Sequence, residues 1–293
     1  LEISESVPGV LVCQPHTPHS DHGFHDEQIP ALRVLLDELV EQHDLSEPIV
    51  WLYTPMALPL VQSLDPSLIV YDCMDELSAF LNAPRQLLQR ENALLRAADV
   101  VFTGGPSLYR TKQPRHDAVY CFPSSVDAGH FGKAREPSIE HREQKSIGHP
   151  RLGFFGVIDE RIDLHLLATL ADAHPEWQIV LVGPVAKIDP VSLPLRANIR
   201  YFGQRDYSEL PQFLAGWDVC LLPFALNEAT KFISPTKTLE YMAAEKAIVS
   251  TPITDVVEPY GEIVSIADRE FFTAACERVL AMPPHERDTR RAA

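Results

Sequence analysis

Short runs of β-branched and other apolar residues alternate along the chain with segments whose apolar residues recur at helical spacing. This alternation is typical of parallel α/β sheets. In the first half, the runs predict strands at residues 10–13, 49–53, 68–73, 100–103 and 119–122. Helices are predicted there at residues 27–42, 57–62 and 84–97.

A second series of elements follows a polar segment, residues 132–149, which contains Pro137 and Gly148 and is typical of a linker. Its strands are predicted at residues 152–155, 179–182, 199–202, 218–222, 248–250 and 263–266. Its helices are predicted at residues 163–173, 208–215 and 269–281, with one more helix beginning near residue 234. This series forms a complete nucleotide-binding half by itself. The pattern therefore predicts an α/β protein with two domains.

Composition agrees with two globular domains. The chain has 293 residues, of which 45% are hydrophobic and 23% charged, so it is long enough for two separate cores. Its formal net charge of −16 argues against nucleic acid or an anionic membrane as the general partner, because either would need clustered Lys and Arg. Peripheral contact with a membrane is therefore not indicated.

The cysteines bear on the compartment. Cys13, Cys73, Cys121, Cys220 and Cys276 are an odd number without Cys-x-x-Cys spacing, which indicates neither a disulfide framework nor a zinc knuckle. No apolar run approaches the roughly 20 residues that span a bilayer. We therefore expect a cytoplasmic protein.

The segment 232–251 carries the most specific chemistry. Ser234 is predicted to cap a helix whose first residue is Pro235. The amides of Thr236 and Lys237 would then point at an anion, with the Lys237 ammonium beside them. Glu240, three residues after Lys237, shares that helix face and suits ribose hydroxyls. The segment therefore predicts binding of a nucleotide diphosphate.

The same segment resembles the donor-binding segment of GT-B glycosyltransferases, particularly the family-four members of the group 1 type. Pro235, Lys237, Glu240, Tyr241 and Ala243 match the pattern of that family.

Three positions depart from the pattern. Glu245 stands where the family usually has a helix-ending glycine, and Ala247 stands where it usually has proline. If residue 245 must be left-handed, glutamate there costs roughly 1 kcal/mol relative to glycine. Phe232 stands where many relatives have a second glutamate.

The resemblance implies a GT-B architecture, in which two Rossmann-like domains face each other across a cleft. Residues 124–131 resemble the family's hinge after the first domain. We therefore expect an N-terminal acceptor domain at residues 1–131, a linker at 132–149 and a C-terminal nucleotide-sugar donor domain at 150–293. Compared with the family, the N-terminal domain would lack its first strand–helix unit.

Other donor-binding candidates lie in loops that follow strands. The resemblance matches Gly156 and Arg161 to a diphosphate-binding loop, and Lys187 to the next loop. Lys231 precedes the motif helix and would lie near the donor sugar. The alternative for each basic side chain is a solvated surface charge.

Asp72 and Asp75 end a predicted strand of the first domain, at the edge where open sheets present ligands. Either carboxylate could orient an acceptor hydroxyl, act as a general base or hold the cleft between the domains. The alternative is structural, with one capping a helix and the other pairing with an arginine.

The histidine string His16, His19, His22 and His25 raises the question of a metal. Pro15, Pro18 and Gly23 rule out a regular helix there, so the equal spacing does not place four imidazoles on one face. We therefore predict no metal site.

These observations favour a glycosyltransferase that moves a sugar from a nucleotide-diphosphate sugar to a sugar or lipid-linked acceptor. Lys237, Arg161 and the helix amides would stabilise the departing nucleoside diphosphate, which requires no protein-bound metal or other cofactor. The resemblance favours retention of configuration, whereas Asp72 or Asp75 as a base would favour inversion. The alternatives are a nucleotide-sugar epimerase or hydrolase on the same fold, and a non-catalytic subunit that binds nucleotide sugars.

Overall fold

The computed structural model describes residues 1–19, 23–61 and 64–283. The chain divides into two compact units. Unit 1 comprises Leu1–Ser78, Asn82–Gly104 and Leu108–Phe122, and unit 2 comprises Ala79–Leu81, Gly105–Ser107 and the described residues from Pro123 onward. Among the described helices, none is long and apolar enough to cross a lipid bilayer.

Unit 1 begins with a hairpin that the sequence did not predict. Strand β1 (Glu2–Val7) pairs antiparallel with β2 (Val10–Gln14), and Gly9 at φ 84° closes the turn between them. The predicted strand at residues 10–13 therefore exists, but its assignment to a parallel α/β sheet is wrong. A turn with a left-handed glycine joins neighbouring strands directly, whereas a parallel pair needs a long crossover.

The main sheet of unit 1 has four parallel strands in the order β3–β4–β5–β6. These strands are β3 (Ile49–Leu52), β4 (Leu68–Cys73), β5 (Val100–Thr103) and β6 (Val119–Cys121). The helices along this part of the chain are α1 (Ile29–Gln42), α2 (Leu58–Val61), α3 (Leu87–Ala97) and α4 (Pro106–Lys112). Each strand lies next to its sequence neighbour, as expected when every connection is a crossover. Gln62, the last residue of the predicted helix 57–62, lies outside the described residues.

A buried ion-pair network lies among β4, α3 and α4. Lys112 Nζ donates to Glu91 Oε1 at 2.6 Å and to Glu76 Oε2 at 2.7 Å, and both Lys112 and Glu91 are buried. The Tyr71 hydroxyl donates to Glu91 Oε1 at 3.1 Å, and Arg115 Nη1 donates to Glu91 Oε2 at 3.1 Å. The network satisfies charges that would otherwise be costly to bury.

Burial and pairing act on these groups in opposite directions. Desolvation alone would raise the pKa of Glu91, but the Lys112 charge and its hydrogen bond reverse this and leave the pKa lowered. Desolvation likewise opposes the charge of Lys112, and its interactions with Cys73, Glu91 and Glu76 leave its pKa raised. Each member of the pair therefore stabilises the charge of the other.

Unit 2 contains a six-stranded parallel sheet in the order β12–β11–β10–β7–β8–β9. Its strands are β7 (Arg151–Phe155), β8 (Gln178–Val182), β9 (Ile199–Tyr201), β10 (Val219–Leu222), β11 (Ile248–Ser250) and β12 (Ser265–Ile266). Its helices are α5 (Ala128–Gly132), α6 (Leu164–Ala173), α7 (Leu210–Ala215), α8 (Lys237–Ala243), α9 (Thr254–Tyr260) and α10 (Phe272–Ala281). The strand order reverses between β7 and β10, which is the point where doubly wound sheets bind ligands.

The segment 132–149, predicted as a linker, is part of unit 2 and packs into its core. Gln144 is fully buried, donates to the Phe213 carbonyl at 2.8 Å and accepts from Trp217 Nε1 at 3.2 Å. Trp217 in turn lies over Gly153 of β7, where an added Cβ would come within 1.9 Å of its ring. The segment thus helps to close the core of unit 2.

We predict that Lys112→Met destabilises the protein by about 3–5 kcal/mol, because the buried Glu91 would lose its closest cation. Urea unfolding followed by circular dichroism measures this change. Lys145→Met is the matched control, since Lys145 is exposed, and it should change stability by less than about 0.5 kcal/mol. Equal stability of the two variants would contradict the structural role of the network.

Candidate functional site

The candidate site lies at the carboxyl ends of β7 and β8, beside the reversal of strand order. Gly156 follows β7 with φ 139°, and Gly183 follows β8 with φ 146°. A Cβ added to Gly183 would lie 1.9 Å from the Gly156 carbonyl oxygen. Both positions therefore require glycine.

Helix α8 starts later than the sequence predicts. It begins at Lys237, and Thr236 precedes it with no side chain capping its first turn. Thr238 N donates to the Pro235 carbonyl three residues back, at 3.1 Å, so a tight turn precedes the regular helix. The assignment of Ser234 as the N-cap is therefore wrong. Ser234 lies instead against Gly105, whose added Cβ would be 2.7 Å from Ser234 Cβ.

Lys237 lies directly beside Gly156. A Cβ added to Gly156 would be 2.3 Å from Lys237 Cε and 2.9 Å from Nζ. Within the described part of the chain, Nζ has no hydrogen-bond or ion-pair partner, and it lies 6.0 Å from the centre of the Phe154 ring. Desolvation lowers the pKa of Lys237 and the Arg161 charge adds to this effect, while Glu240 opposes it.

Glu240 lies one turn further along α8, as predicted. Its Oε2 is buried and has no hydrogen-bond partner among the described residues. Desolvation raises the pKa of Glu240, and the Lys237 charge, a hydrogen bond with Thr236 and the charge of His130 partly counter this. A buried acceptor without a donor is costly, so the site favours a ligand that supplies hydroxyl donors.

Arg161 is held by an acid that the sequence analysis missed. Its Nε donates to Asp159 Oδ1 at 3.0 Å and its Nη2 donates to Asp159 Oδ2 at 2.7 Å. The Asp159 side chain is buried, so the guanidinium is fixed at the loop after β7. The spacing of Asp159 and Arg161 was the available signal for this ion pair, because side chains two residues apart in a turn can face each other.

Lys187 and Arg161 meet at one aromatic ring. Lys187 Nζ lies 4.5 Å and Arg161 Cζ 5.4 Å from the centre of the Phe80 ring. Lys187 also has a left-handed backbone, with φ 61°, which is rare for a residue other than glycine. The structure thus gathers Gly156, Arg161, Lys187, Lys237 and Glu240 at one edge of the sheet.

Lys231 is not joined to this group by any contact in the described residues. It is exposed, with Nζ 3.9 Å from Glu228 Oε2 and 5.3 Å from the centre of the Phe232 ring. This geometry is that of a surface ion pair.

Asp72 and Asp75 lie in unit 1. Asp72, in β4, is half-buried, and its Oδ2 accepts a hydrogen bond from Trp51 Nε1 at 3.0 Å. Asp75 follows the strand, and its carbonyl oxygen accepts from Cys73 Sγ at 3.5 Å. The indole therefore fixes the Asp72 carboxylate.

In the histidine string, His16 Nε2 lies 3.2 Å from Glu2 Oε2 on the surface, and His22 lies outside the described residues. Across the residues that are described, His, Cys, Asp and Glu side chains form no group of three that could hold a metal ion.

Residues 149–282 match the protein family described as Glycosyl transferases group 1. The chain is also similar to TuaH of Bacillus subtilis (strain 168), which carries the name of a teichuronic acid biosynthesis glycosyltransferase. The two are 27% identical over 273 residues, which cover 85% of this chain and 68% of that protein.

Solved structures share the fold at lower identity. Sucrose-phosphate synthase from Thermosynechococcus elongatus is 17% identical with a TM-score of 0.71, covering 99% of this chain and 80% of its own. The Anabaena protein HepE, in complex with UDP and glucose, is 15% identical with a TM-score of 0.65, covering 93% of this chain and 77% of its own. A UDP-forming trehalose-phosphate synthase from Burkholderia xenovorans is 14% identical with a TM-score of 0.66, covering 91% of this chain and 73% of its own.

We predict that Gly156→Ala destabilises the protein by roughly 1–3 kcal/mol, because alanine is strained at φ 139° and its methyl group would displace Lys237. Thermal unfolding measures the loss. Gly148→Ala is the control, since nothing lies within 4 Å of a Cβ added there. If the two variants unfolded at the same temperature, the close approach of Gly156 and Lys237 would be refuted.

Proposed function

We propose that this GT-B glycosyltransferase, whose residues 149–282 match Glycosyl transferases group 1, binds the nucleoside diphosphate of a sugar donor at the loops after β7 and β8 and the start of α8. In this proposal residues 150–293 are the donor domain, residues 1–131 serve the acceptor, and residues 132–149 connect them. The acceptor is a sugar or a lipid-linked hydroxyl compound.

One observation carries the proposal. Lys237 lies one helical turn from Glu240, and among the described residues its ammonium has no anionic partner, while the buried Glu240 Oε2 has no hydrogen-bond donor. Within that part of the chain, the first group lacks an anion and the second lacks hydroxyl donors. A nucleoside diphosphate supplies both, because its phosphates are negative and its ribose hydroxyls donate hydrogen bonds.

The proposed chemistry follows from the negative charge that develops on the leaving nucleoside diphosphate. When the bond between the anomeric carbon and the phosphate oxygen breaks, the electron pair stays on that oxygen, and the acceptor hydroxyl forms the new bond and loses its proton. Lys237 and Arg161 are proposed to stabilise the leaving diphosphate, with Lys187, Ser234 and Thr236 contacting its oxygens. Positive charge in this scheme comes from side chains, so the scheme calls for no metal ion. Lys231 is proposed to contact the sugar.

UDP is the first nucleotide to test, because HepE is a UDP complex and the trehalose-phosphate synthase is UDP-forming. Release of nucleoside diphosphate that depends on an added acceptor separates transfer from hydrolysis and epimerisation. Binding of UDP without turnover on any acceptor would instead favour the non-catalytic subunit.

We predict that Lys237→Ala weakens UDP binding by about 1.5–3 kcal/mol, the range of a charge-assisted hydrogen bond. Isothermal titration calorimetry at low salt measures the dissociation constant. The exposed Lys145→Ala is the matched control and should bind as the wild type does. An unchanged constant for Lys237→Ala would remove this lysine from the donor site.

The lowered pKa of Lys237 adds a pH dependence to the same test. Diphosphate binds the charged ammonium, so the pKa of Lys237 is higher in the complex than in the free protein. Affinity should therefore fall, with proton uptake on binding, as pH rises through the free protein's lowered pKa, below the ordinary value of about 10.4. Lys237→Ala should lose this alkaline decline.

We predict that Asp72→Asn or Asp75→Asn lowers transfer about a hundredfold or more while UDP affinity stays close to wild type, because the proposed donor contacts come from unit 2 alone. Steady-state transfer and calorimetry measure the two effects separately. Wild-type transfer by both variants would show that the carboxylates are structural.

A further inference from the structure

Phe80 contacts two of the proposed phosphate-binding cations, although it lies far from both in sequence. The short segment Ala79–Leu81 belongs to unit 2, and only its phenylalanine offers an aromatic face. The ring centre lies 4.5 Å from Lys187 Nζ and 5.4 Å from Arg161 Cζ. Both distances are within the range of cation–π attraction.

The backbone next to Phe80 is fixed to the loop that carries Arg161. Leu81 N donates to Glu160 Oε1 at 3.1 Å, and the Glu160 carbonyl accepts from Asn227 Nδ2 at 3.0 Å. Glu160 thus joins the segment to the loops after β7 and β10. The ring is held in place rather than resting on the surface.

The two cations differ in what else restrains them. Arg161 is held on one side by the buried Asp159. Lys187 is exposed, and in the described residues its ammonium has only the Phe80 ring as a contact. Because two like charges repel, a negatively polarised ring face is a way to hold Lys187 beside Arg161 without neutralising the lysine. A salt bridge to an acid, such as the one between Arg161 and Asp159, would have cancelled the lysine charge that a phosphate needs.

We propose that Phe80 is a positioning residue for donor binding: its ring holds Lys187 and Arg161 in place for the diphosphate. The proposal rests on the donor site described above. The ring touches neither the sugar nor the leaving oxygen in this role, and it acts through the two cations. Its contribution therefore disappears when those cations are removed.

The experiment compares Phe80→Leu, which keeps an apolar side chain of similar size, with Phe80→Trp, which keeps an aromatic face. UDP and inorganic pyrophosphate are titrated by calorimetry at low and high salt. Phe80→Leu should weaken binding of both ligands about 3- to 10-fold at low salt, and Phe80→Trp should bind within about twofold of wild type. Thermal unfolding of each free variant checks that the fold is retained.

A double-mutant cycle isolates the positioning effect. In a Lys187→Met, Arg161→Met background, changing Phe80 to Leu should alter UDP affinity less than twofold. An equal loss with and without the cations, or equal affinities for the leucine and tryptophan variants, would overturn the positioning role. If wild type binds UDP and Phe80→Leu binds equally well, only the role of Phe80 fails. If wild type binds neither ligand, the donor site fails and the role of Phe80 fails with it.

Discussion

The backbone after β7 and the backbone after β8 approach each other so closely that neither Gly156 nor Gly183 has room for a side chain. With Gly183 against the Gly156 carbonyl, and Gly156 against the stem of Lys237, these contacts determine where the lysine can lie. A side chain at Gly156 would displace the lysine from its half-buried position. The desolvation that lowers the pKa of Lys237, and its coupling to Arg161 and Glu240, both follow from this packing.

Much of unit 2 could be predicted because its elements follow local rules. The alternation of strands and helices and the motif at residues 232–251 predicted a GT-B glycosyltransferase. The family match and the similar curated glycosyltransferase confirm the activity, and the related structures share the fold. The helical spacing of Lys237 and Glu240 was enough to place them one turn apart. The left-handed backbone of Glu245, at φ 55°, was likewise anticipated from the glycine that relatives have there. What these side chains bind is still a prediction.

The remaining features depend on contacts that local patterns do not encode. Strand 10–13 has the composition of any strand, and only its pairing with residues 2–7 makes it part of a hairpin. The prediction of Ser234 as the N-cap was wrong because a tight turn at residues 235–238 delays the start of the helix to Lys237. Phe80 and Lys187 are separated by more than a hundred residues, so no spacing rule could join them. The buried pair of Lys112 and Glu91 could not be predicted either, because single charged residues in helices are usually solvated.

The strand order of unit 2 also bears on how this protein avoids aggregation. The outermost strands of its sheet are β9, with three residues, and β12, with two. Unpaired amides and carbonyls along an edge strand can template the addition of a strand from another molecule, and the risk grows with the length of the edge. Short outermost strands leave little backbone for such pairing, while the longer β7 and β8, which carry the candidate site, lie inside the sheet. The strand order that places the candidate site inside the sheet thus also limits edge-to-edge pairing between molecules.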